Sequence, residues 1–167
     1  MTDLHVTWED YNRLIERLAV IIHDSGWKFD TIICLARGGL RVGDALSRIF
    51  DKPLGVMTTS SYRASGGMVQ GKLKIGEQIS AAEDVTRGRV LLADDLVDSG
   101  VTLKAVIPEL HRRYPAIEEI RTAVLWYKSV SVIKPDYHAQ FLESSPWIHQ
   151  PFESYEGCDI ESLRQSR

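Results

Sequence analysis

An α/β fold, with an open, mostly parallel sheet flanked by helices, is predicted by the distribution of apolar residues along the chain. Short apolar runs rich in β-branched residues, Thr31–Leu35 and Val90–Ala93, are typical of strands buried on both faces. Each run leads into a glycine-containing loop and then into apolar residues at three- and four-residue spacing, which indicate helices. Strands that alternate with helices favour a parallel sheet covered on both faces.

The N-terminal part of the chain predicts a helix and then a β-α-β unit. Thr7 precedes a helix whose apolar residues recur until Gly26. After the first strand, apolar residues at helical spacing predict a helix over Leu40–Ile49, and Leu54–Thr59 after Pro53 predicts the second strand.

The rest of the chain repeats this alternation after an irregular segment. Serines and glycines interrupt any period from residue 60 to 80, which predicts a flexible flap over residues 60–85, although Lys72–Ile75 alternates like a hairpin arm. A helix over Leu103–Leu110 follows the strand that ends at Ala93, and it stops before Pro115. Two more strands are expected, at Ile120–Trp126 and Tyr137–Leu142. An irregular tail starts at Ser144.

Composition limits the classes of protein to consider. The 167 residues, 44% of them hydrophobic, suit a single domain over residues 1–167. A net charge of −3 argues against a stable nucleic-acid partner. The two cysteines, Cys34 and Cys158, favour a reducing cytoplasm over a disulfide framework, and no apolar stretch is long enough for a membrane helix.

Two loops that follow strands carry residues suited to a phosphorylated ligand. The loop Ala36–Gly39 and the acidic turn, Asp94–Gly100, should lie at the same sheet edge, where the carboxyl ends of parallel strands meet. Ser99, Gly100 and Thr102 open a helix, whose free amides favour a phosphate. The paired carboxylates of Asp94 and Asp95 would repel that phosphate unless they met hydroxyl groups or a cation, and Mg²⁺ suits such a donor set.

The segment Val90–Thr102 resembles the thirteen-residue phosphoribosyl pyrophosphate (PRPP) motif of type I phosphoribosyltransferases. Further resemblance is to the small purine phosphoribosyltransferases of the xanthine-guanine and hypoxanthine-guanine type. It is carried by these segments, in the family's order: Leu35–Leu40, Ser60–Tyr62, Trp126–Lys128 and Trp147–Glu153. Two positions depart from the usual motif, because Ser99 replaces the commoner threonine and Val101 stands where glycine or a basic residue is frequent.

The resemblance implies a role for each matched residue. Asp94 and Asp95 would hold the ribose hydroxyls and Mg²⁺, and Asp98 would be the catalytic acid or base at N7 of a purine. The PRPP-binding residues would be Arg37, Gly38, Gly39, Asp94, Asp95, Asp98, Ser99, Gly100, Val101 and Thr102. The base would meet Lys128 at its C6 oxygen, the ring of Trp147, and backbone carbonyls around Ile148 and Gln150, within a hood at residues 128–160. Tyr62, Lys72 and Lys74 could close over PRPP, but glycine-flanked lysines usually lie in water.

The function implied is transfer of the phosphoribosyl group of PRPP to guanine, hypoxanthine or xanthine, for purine salvage, by a dimer or tetramer. Two alternatives stay open: a PRPP- or nucleotide-sensing regulator of the same fold, and a phosphoribosyltransferase for a different base. His23, His111, His138 and His149 show no common metal-ligand spacing and are assigned no role.

Overall fold

The computed structural model describes residues 3–63 and 70–165, without the side chains of residues 61–63 and 70–72. Its elements run in the order β1 (Leu4–His5), α1 (Trp8–Asp24), β2 (Thr31–Ala36), α2 (Leu40–Phe50), β3 (Leu54–Arg63), β4 (Gln70–Ser80), β5 (Gly88–Val97), α3 (Val101–Arg113), β6 (Ile117–Lys128), β7 (Tyr137–Leu142), β8 (Ile148–His149), a 3₁₀ turn (Glu153–Tyr155) and α4 (Ile160–Gln165). Six strands form the main sheet in the order β4-β3-β2-β5-β6-β7, and β1 pairs with β8.

All strand pairs of the main sheet are parallel except β3–β4, so the predicted α/β class is confirmed. The two faces of the sheet carry separate cores, as the alternation of side chains along each strand requires. On β2, Ile32 and Cys34 pack in the cluster that includes α1 and α2, whereas Ile33 and Leu35 pack in the cluster that includes α3. Helices therefore cover both faces, as the sequence predicts.

Helix α1 begins where the sequence predicts. The Thr7 hydroxyl accepts a hydrogen bond from the Asp10 amide, and the Asp10 carboxylate accepts one from the Thr7 amide, which completes a capping box. The predicted apolar stripe supplies the buried residues Tyr11, Ile15, Leu18 and Ile22.

Much of the segment predicted as a flexible flap, residues 60–85, forms two strands, and only residues 81–85 after β4 are irregular among its described residues. β3 runs to Arg63, four residues beyond its predicted end at Thr59, because β4 pairs with it antiparallel through Ser61 and Leu73. The hairpin arm predicted at Lys72–Ile75 is confirmed as part of β4. Residues 64–69, in the first half of the predicted flap, lie outside the described residues.

The predicted hood, residues 128–160, has two parts. Its first part contains β7, which extends the main sheet next to β6. Its second part contains β8, which is tied to the N-terminus because the amides of Leu4 and Val6 donate hydrogen bonds to the carbonyls of Trp147 and His149. In the described ranges, no helix has both the length and the apolar character needed to cross a membrane.

Helix α2 approaches the sheet closely at Gly43. A Cβ atom at this position would lie 2.5 Å from the Cβ of Cys34 on β2, where side-chain atoms cannot be accommodated without a shift. The absence of a side chain therefore sets how near α2, and the loop that precedes it, can lie to the sheet.

We expect Gly43→Ala to lower the melting temperature. Alanine is the better helix former by about 1 kcal/mol, but overpacking a core costs about 1–3 kcal/mol, so the packing effect should dominate. Thermal unfolding measures the sum, with Arg48→Ala on the exposed side of the same helix as the control that should change little. A higher melting temperature for Gly43→Ala would show that the helix can move away from β2 freely.

Candidate active site

The acidic turn is shorter than the sequence predicts, because β5 continues to Val97 instead of ending at Ala93. The register with β6 pairs Asp94 with Val124 and Leu96 with Trp126, which keeps both aspartates inside the sheet ladder. Asp94 and Asp95 are thus held by strand geometry and not by a loop. The chain leaves the sheet only at Asp98.

The two adjacent carboxylates make an electrostatically costly pair. Burial, and then the negative charge of Asp95, raise the pKa of Asp94 well above its usual range. One Asp94 oxygen accepts a hydrogen bond from the Asp95 amide at 2.9 Å, which offsets part of the cost. A carboxylate pair in this state is a favourable partner for a cation or for hydroxyl donors.

A small cleft of about 160 Å³ lies between the end of β5 and the start of α3. It is lined by Asp94, Asp95, Leu96, Val97, Asp98, Ser99, Gly100, Thr102 and Leu103. Gly100 precedes α3 with φ of +78°, a conformation that other residues rarely adopt, and a side chain there would collide with Ser131. The next loop holds the turn, since the Val132 amide donates a hydrogen bond to the Ser99 carbonyl at 2.9 Å.

The loop after β2 lies against the acidic residues at the same edge of the sheet. A Cβ on Gly38 would be 2.6 Å from an Asp95 carboxylate oxygen, and a Cβ on Gly39 would be 2.7 Å from the Leu35 carbonyl, so both positions need glycine. The peptide between Ala36 and Arg37 is cis. The Gly39 amide already donates to the Leu35 carbonyl at 2.8 Å. The Arg37 side chain is exposed, and its nearest carboxylate is that of Glu156 at 3.8 Å.

A larger cleft, of about 980 Å³, opens between this loop and the C-terminal part of the hood. Its lining residues are Arg37, Gly38, Leu40, Arg41, Asp95, Trp147, Gln150, Phe152, Glu153, Tyr155, Glu156 and Gly157. Asp95 lines this cleft and the small one, so the two meet at its side chain. More than half of the Trp147 side chain is exposed, which leaves an aromatic surface at the cleft.

Lys128 is brought to Asp98 across the ends of β5 and β6. Its side chain is buried, and its ammonium lies 3.4 Å from the Asp98 carboxylate, which is itself more than half exposed. A buried donor thus lies beside an accessible acceptor. Ile148 is buried in β8, where only its backbone can face a ligand.

Gln150 has a structural role that the sequence did not reveal. Its side-chain amide donates a hydrogen bond of 2.6 Å to Asp95, while its amide oxygen is buried without a partner among the described residues. The Tyr11 hydroxyl is also buried and unpaired among those residues, and burial followed by the charge of Asp95 raises its pKa. No spacing could have shown these contacts, because they join segments far apart in the sequence.

The structure thus brings most of the predicted residues to one edge of the sheet. Arg37, Gly38, Asp95 and Trp147 share the larger cleft, and the residues of the acidic turn share the small one. Lys74 lies on β4, at the opposite end of the strand order from β6. The side chains of Tyr62 and Lys72 lie outside the described part of the chain.

Asp94 and Asp95 offer the carboxylate oxygens that a hard divalent cation prefers as ligands. Both residues line an open cleft, and burial together with the charge of Asp95 raises the pKa of Asp94, so a bound cation would favour the charged pair. Mg²⁺ prefers such oxygen ligands and keeps several waters, for which the cleft has room. The residues present therefore fit the predicted ion.

Comparisons with known proteins agree with this arrangement. A purine phosphoribosyltransferase structure from Pyrococcus horikoshii is 33% identical, with a TM-score of 0.73 over 91% of this chain and 95% of that one. A hypoxanthine-guanine phosphoribosyltransferase from Aquifex aeolicus is 30% identical over 80% of this chain and 74% of the relative. Another relative, a hypoxanthine/guanine phosphoribosyltransferase from Methanocella paludicola, is 28% identical over 64% of this chain, which spans 57% of that relative's length.

The protein-family model described as the phosphoribosyl transferase domain matches residues 7–156 of this chain. That range contains the Arg37 loop, the acidic turn and Trp147, which border the two clefts. It also contains Lys128, which pairs with Asp98. The chain therefore belongs to the phosphoribosyltransferase family.

Proposed function

We propose that this protein transfers the 5-phosphoribosyl group of PRPP to a 6-oxopurine, giving a nucleoside 5′-monophosphate and pyrophosphate for purine salvage. The observation that carries the proposal is that two clefts meet at Asp95, and that Asp98, which lines the smaller cleft, pairs with Lys128. A phosphate-sized cleft joined to a larger one with an aromatic wall suits a substrate that carries a phosphate and reacts with a flat base.

The assignment of PRPP follows from charge and size. The small cleft at the start of α3 offers helix amides and the hydroxyls of Ser99 and Thr102 to the 5′-phosphate. Asp94 and Asp95 accept hydrogen bonds from the ribose hydroxyls and hold Mg²⁺. Arg37, with Arg41 on the same cleft, binds the pyrophosphate, because a guanidinium meets phosphate oxygens as a fork of donors.

The assignment of a 6-oxopurine follows from the Lys128–Asp98 pair. On guanine, the C6 oxygen and N7 are neighbours on one edge, and a lysine recognises the oxygen as an acceptor. Asp98 then receives the proton of N7. Adenine presents an amino donor at C6, which would face the Lys128 ammonium donor unfavourably. Trp147 stacks on the ring face.

The reaction needs no covalent intermediate with the protein. The bond from the anomeric carbon to the pyrophosphate oxygen breaks, the bond to the base nitrogen forms with inversion, and Asp98 takes the N7 proton. Positive charge develops on the ribose ring in an oxocarbenium-like transition state, close to the carboxylates of Asp94 and Asp95. Mg²⁺ held by Asp94 and Asp95 would supply positive charge to offset the negative charge of the departing pyrophosphate. Positioning of the two substrates by the two clefts supplies the rest of the acceleration.

The sequence-based expectations of a dimer or tetramer and of a cytoplasmic location remain predictions. The nucleotide-sensing regulator and the enzyme for another base remain the alternatives, and the first experiment below distinguishes all three.

Purified protein is incubated with Mg²⁺, PRPP and one base at a time, and pyrophosphate release is measured. We expect release with guanine, hypoxanthine or xanthine at least about tenfold faster than with adenine, the factor that one lost polar contact produces. Release with a pyrimidine alone would indicate a different base. PRPP or nucleotide binding without release for any base would indicate the regulator.

Asp94→Asn should raise the stability of the folded protein but remove its ability to bind PRPP. Because the pKa of Asp94 is raised, the protonated form contributes stability below the usual aspartate value of 3.8, and this stability is lost as the pH rises through the raised pKa. At pH 8 without Mg²⁺, the variant should melt about 2 °C or more above the wild type, and the difference should vanish near pH 3.8. PRPP binding should be lost.

Asp84→Asn is the matched control, because two hydrogen bonds from Thr86 lower the pKa of Asp84 and the change should not stabilise the protein at pH 8. A lower melting temperature for Asp94→Asn at pH 8 would contradict the account of this carboxylate pair.

Asp98→Asn and Lys128→Met should have separable effects. Loss of the general base should reduce kcat by about 10²–10⁴-fold with PRPP affinity within a few-fold. Lys128→Met keeps the apolar stem but not the donor, so the guanine-over-adenine preference should fall by about tenfold or more. Lys104→Met, on the exposed side of α3, is the control. An unchanged base preference would remove Lys128 from the base site, and lost PRPP affinity in Asp98→Asn would remove Asp98 from the role of base.

A further inference from the structure

The two-stranded sheet β1–β8 brings together three side chains that have no place in the proposed reaction. Asp3 directly precedes β1, two residues before His5, and His149 is the register partner of His5 on β8. One ligand atom from each of the three residues lies within 4.8 Å of the other two. Residues two apart on a strand share a face, and the neighbouring strand adds the third ligand to that face. The cluster is therefore a consequence of strand pairing.

The three side chains are close enough to reach one ion once the stacked rings turn toward it. The rings of His5 and His149 are stacked with centroids 4.3 Å apart and planes within 6°. The Nε2 atom of His149 lies 2.9 Å from an Asp3 oxygen, a contact that an ion bound to both atoms would replace. All three side chains are accessible to solvent, so they can make this adjustment and an ion can enter.

An outer partner for His149 is also present. The Nδ1 atom of His149, opposite the atom that faces Asp3, lies 3.9 Å from a Glu153 carboxylate oxygen. A metal-bound histidine usually donates its second ring N–H to a carboxylate, which fixes the ring and raises its basicity as a ligand. Glu153 can supply that carboxylate. The cluster thus contains three ligands, and the Glu153 carboxylate is near enough to support His149 once the 3.9 Å separation closes to a hydrogen bond.

We propose that Asp3, His5 and His149 form a binding site for a first-row transition-metal dication such as Zn²⁺, distinct from the magnesium site at Asp94 and Asp95. Two imidazoles and one carboxylate suit zinc and its neighbours, whereas Mg²⁺ prefers oxygen ligands alone. Water completes the coordination. The ion fastens β1 to β8, and β8 lies between Trp147 and Gln150 of the larger cleft. Metal binding therefore stabilises the hood against the N-terminal strand.

Calorimetric titration of untagged, full-length protein with Zn²⁺, in the presence of millimolar Mg²⁺ to occupy the acidic turn, tests the site. We expect one ion per chain, and a visible absorption band when Co²⁺ replaces Zn²⁺. His5→Ala and His149→Ala should each weaken binding at least tenfold, and Glu153→Gln should weaken it about tenfold through the outer contact. The melting temperature should rise with Zn²⁺ in the wild type and not in His5→Ala.

His111→Ala, which removes an exposed histidine from α3, is the matched control and should bind Zn²⁺ like the wild type. Absence of binding to the wild type, or an affinity equal to that of the wild type in either His5→Ala or His149→Ala, would overturn the proposal. The readouts are metal binding and stability, so the result is independent of whether the proposed transfer reaction is correct.

Discussion

The central constraint in this structure is that two carboxylates, Asp94 and Asp95, are held side by side at the end of a buried strand. Sheet pairing fixes them there, since β5 keeps its register with β6 as far as Val97. Burial and mutual repulsion raise the pKa of Asp94, and this cost lowers the stability of the folded chain near neutral pH. Such a cost is common where a site is built for charged ligands, because the free energy is recovered when the ligand binds.

The surrounding residues can be understood from their contacts with this pair. Gly38 lets the loop after β2 approach Asp95 closely. The side-chain amide of Gln150, in the hood, donates a hydrogen bond to the Asp95 carboxylate. Gly100 turns the chain away immediately afterwards, so that α3 begins at the small cleft. Loops at the end of β2 and β5 and the hood thus converge on Asp95. The parallel sheet makes this convergence possible, because it brings the carboxyl ends of its strands to one edge.

The sequence predicts the parts of this arrangement that depend on local pattern. The buried strands and the capped helix α1 follow from hydrophobic period and from residue types, and the structure confirms them. The acidic residues are where residue types place them, but the predicted turn is shorter because β5 continues to Val97. The extra length of β3, β5 and β6 was missed because strand ends are set by the neighbouring strand. Equally, the hydrogen bond from Gln150 to Asp95 and the stacking of His5 on His149 join distant segments, so only the folded chain reveals them.

The central claim is that the carboxylate pair is a site for a metal-bound sugar phosphate. Isothermal titration of the wild-type protein with PRPP, in the presence of Mg²⁺ and again with a chelator, tests it most directly. The account predicts saturable binding of one PRPP per chain with Mg²⁺ and a large loss of affinity without it. Equal affinity under both conditions, or no binding under either, would contradict it.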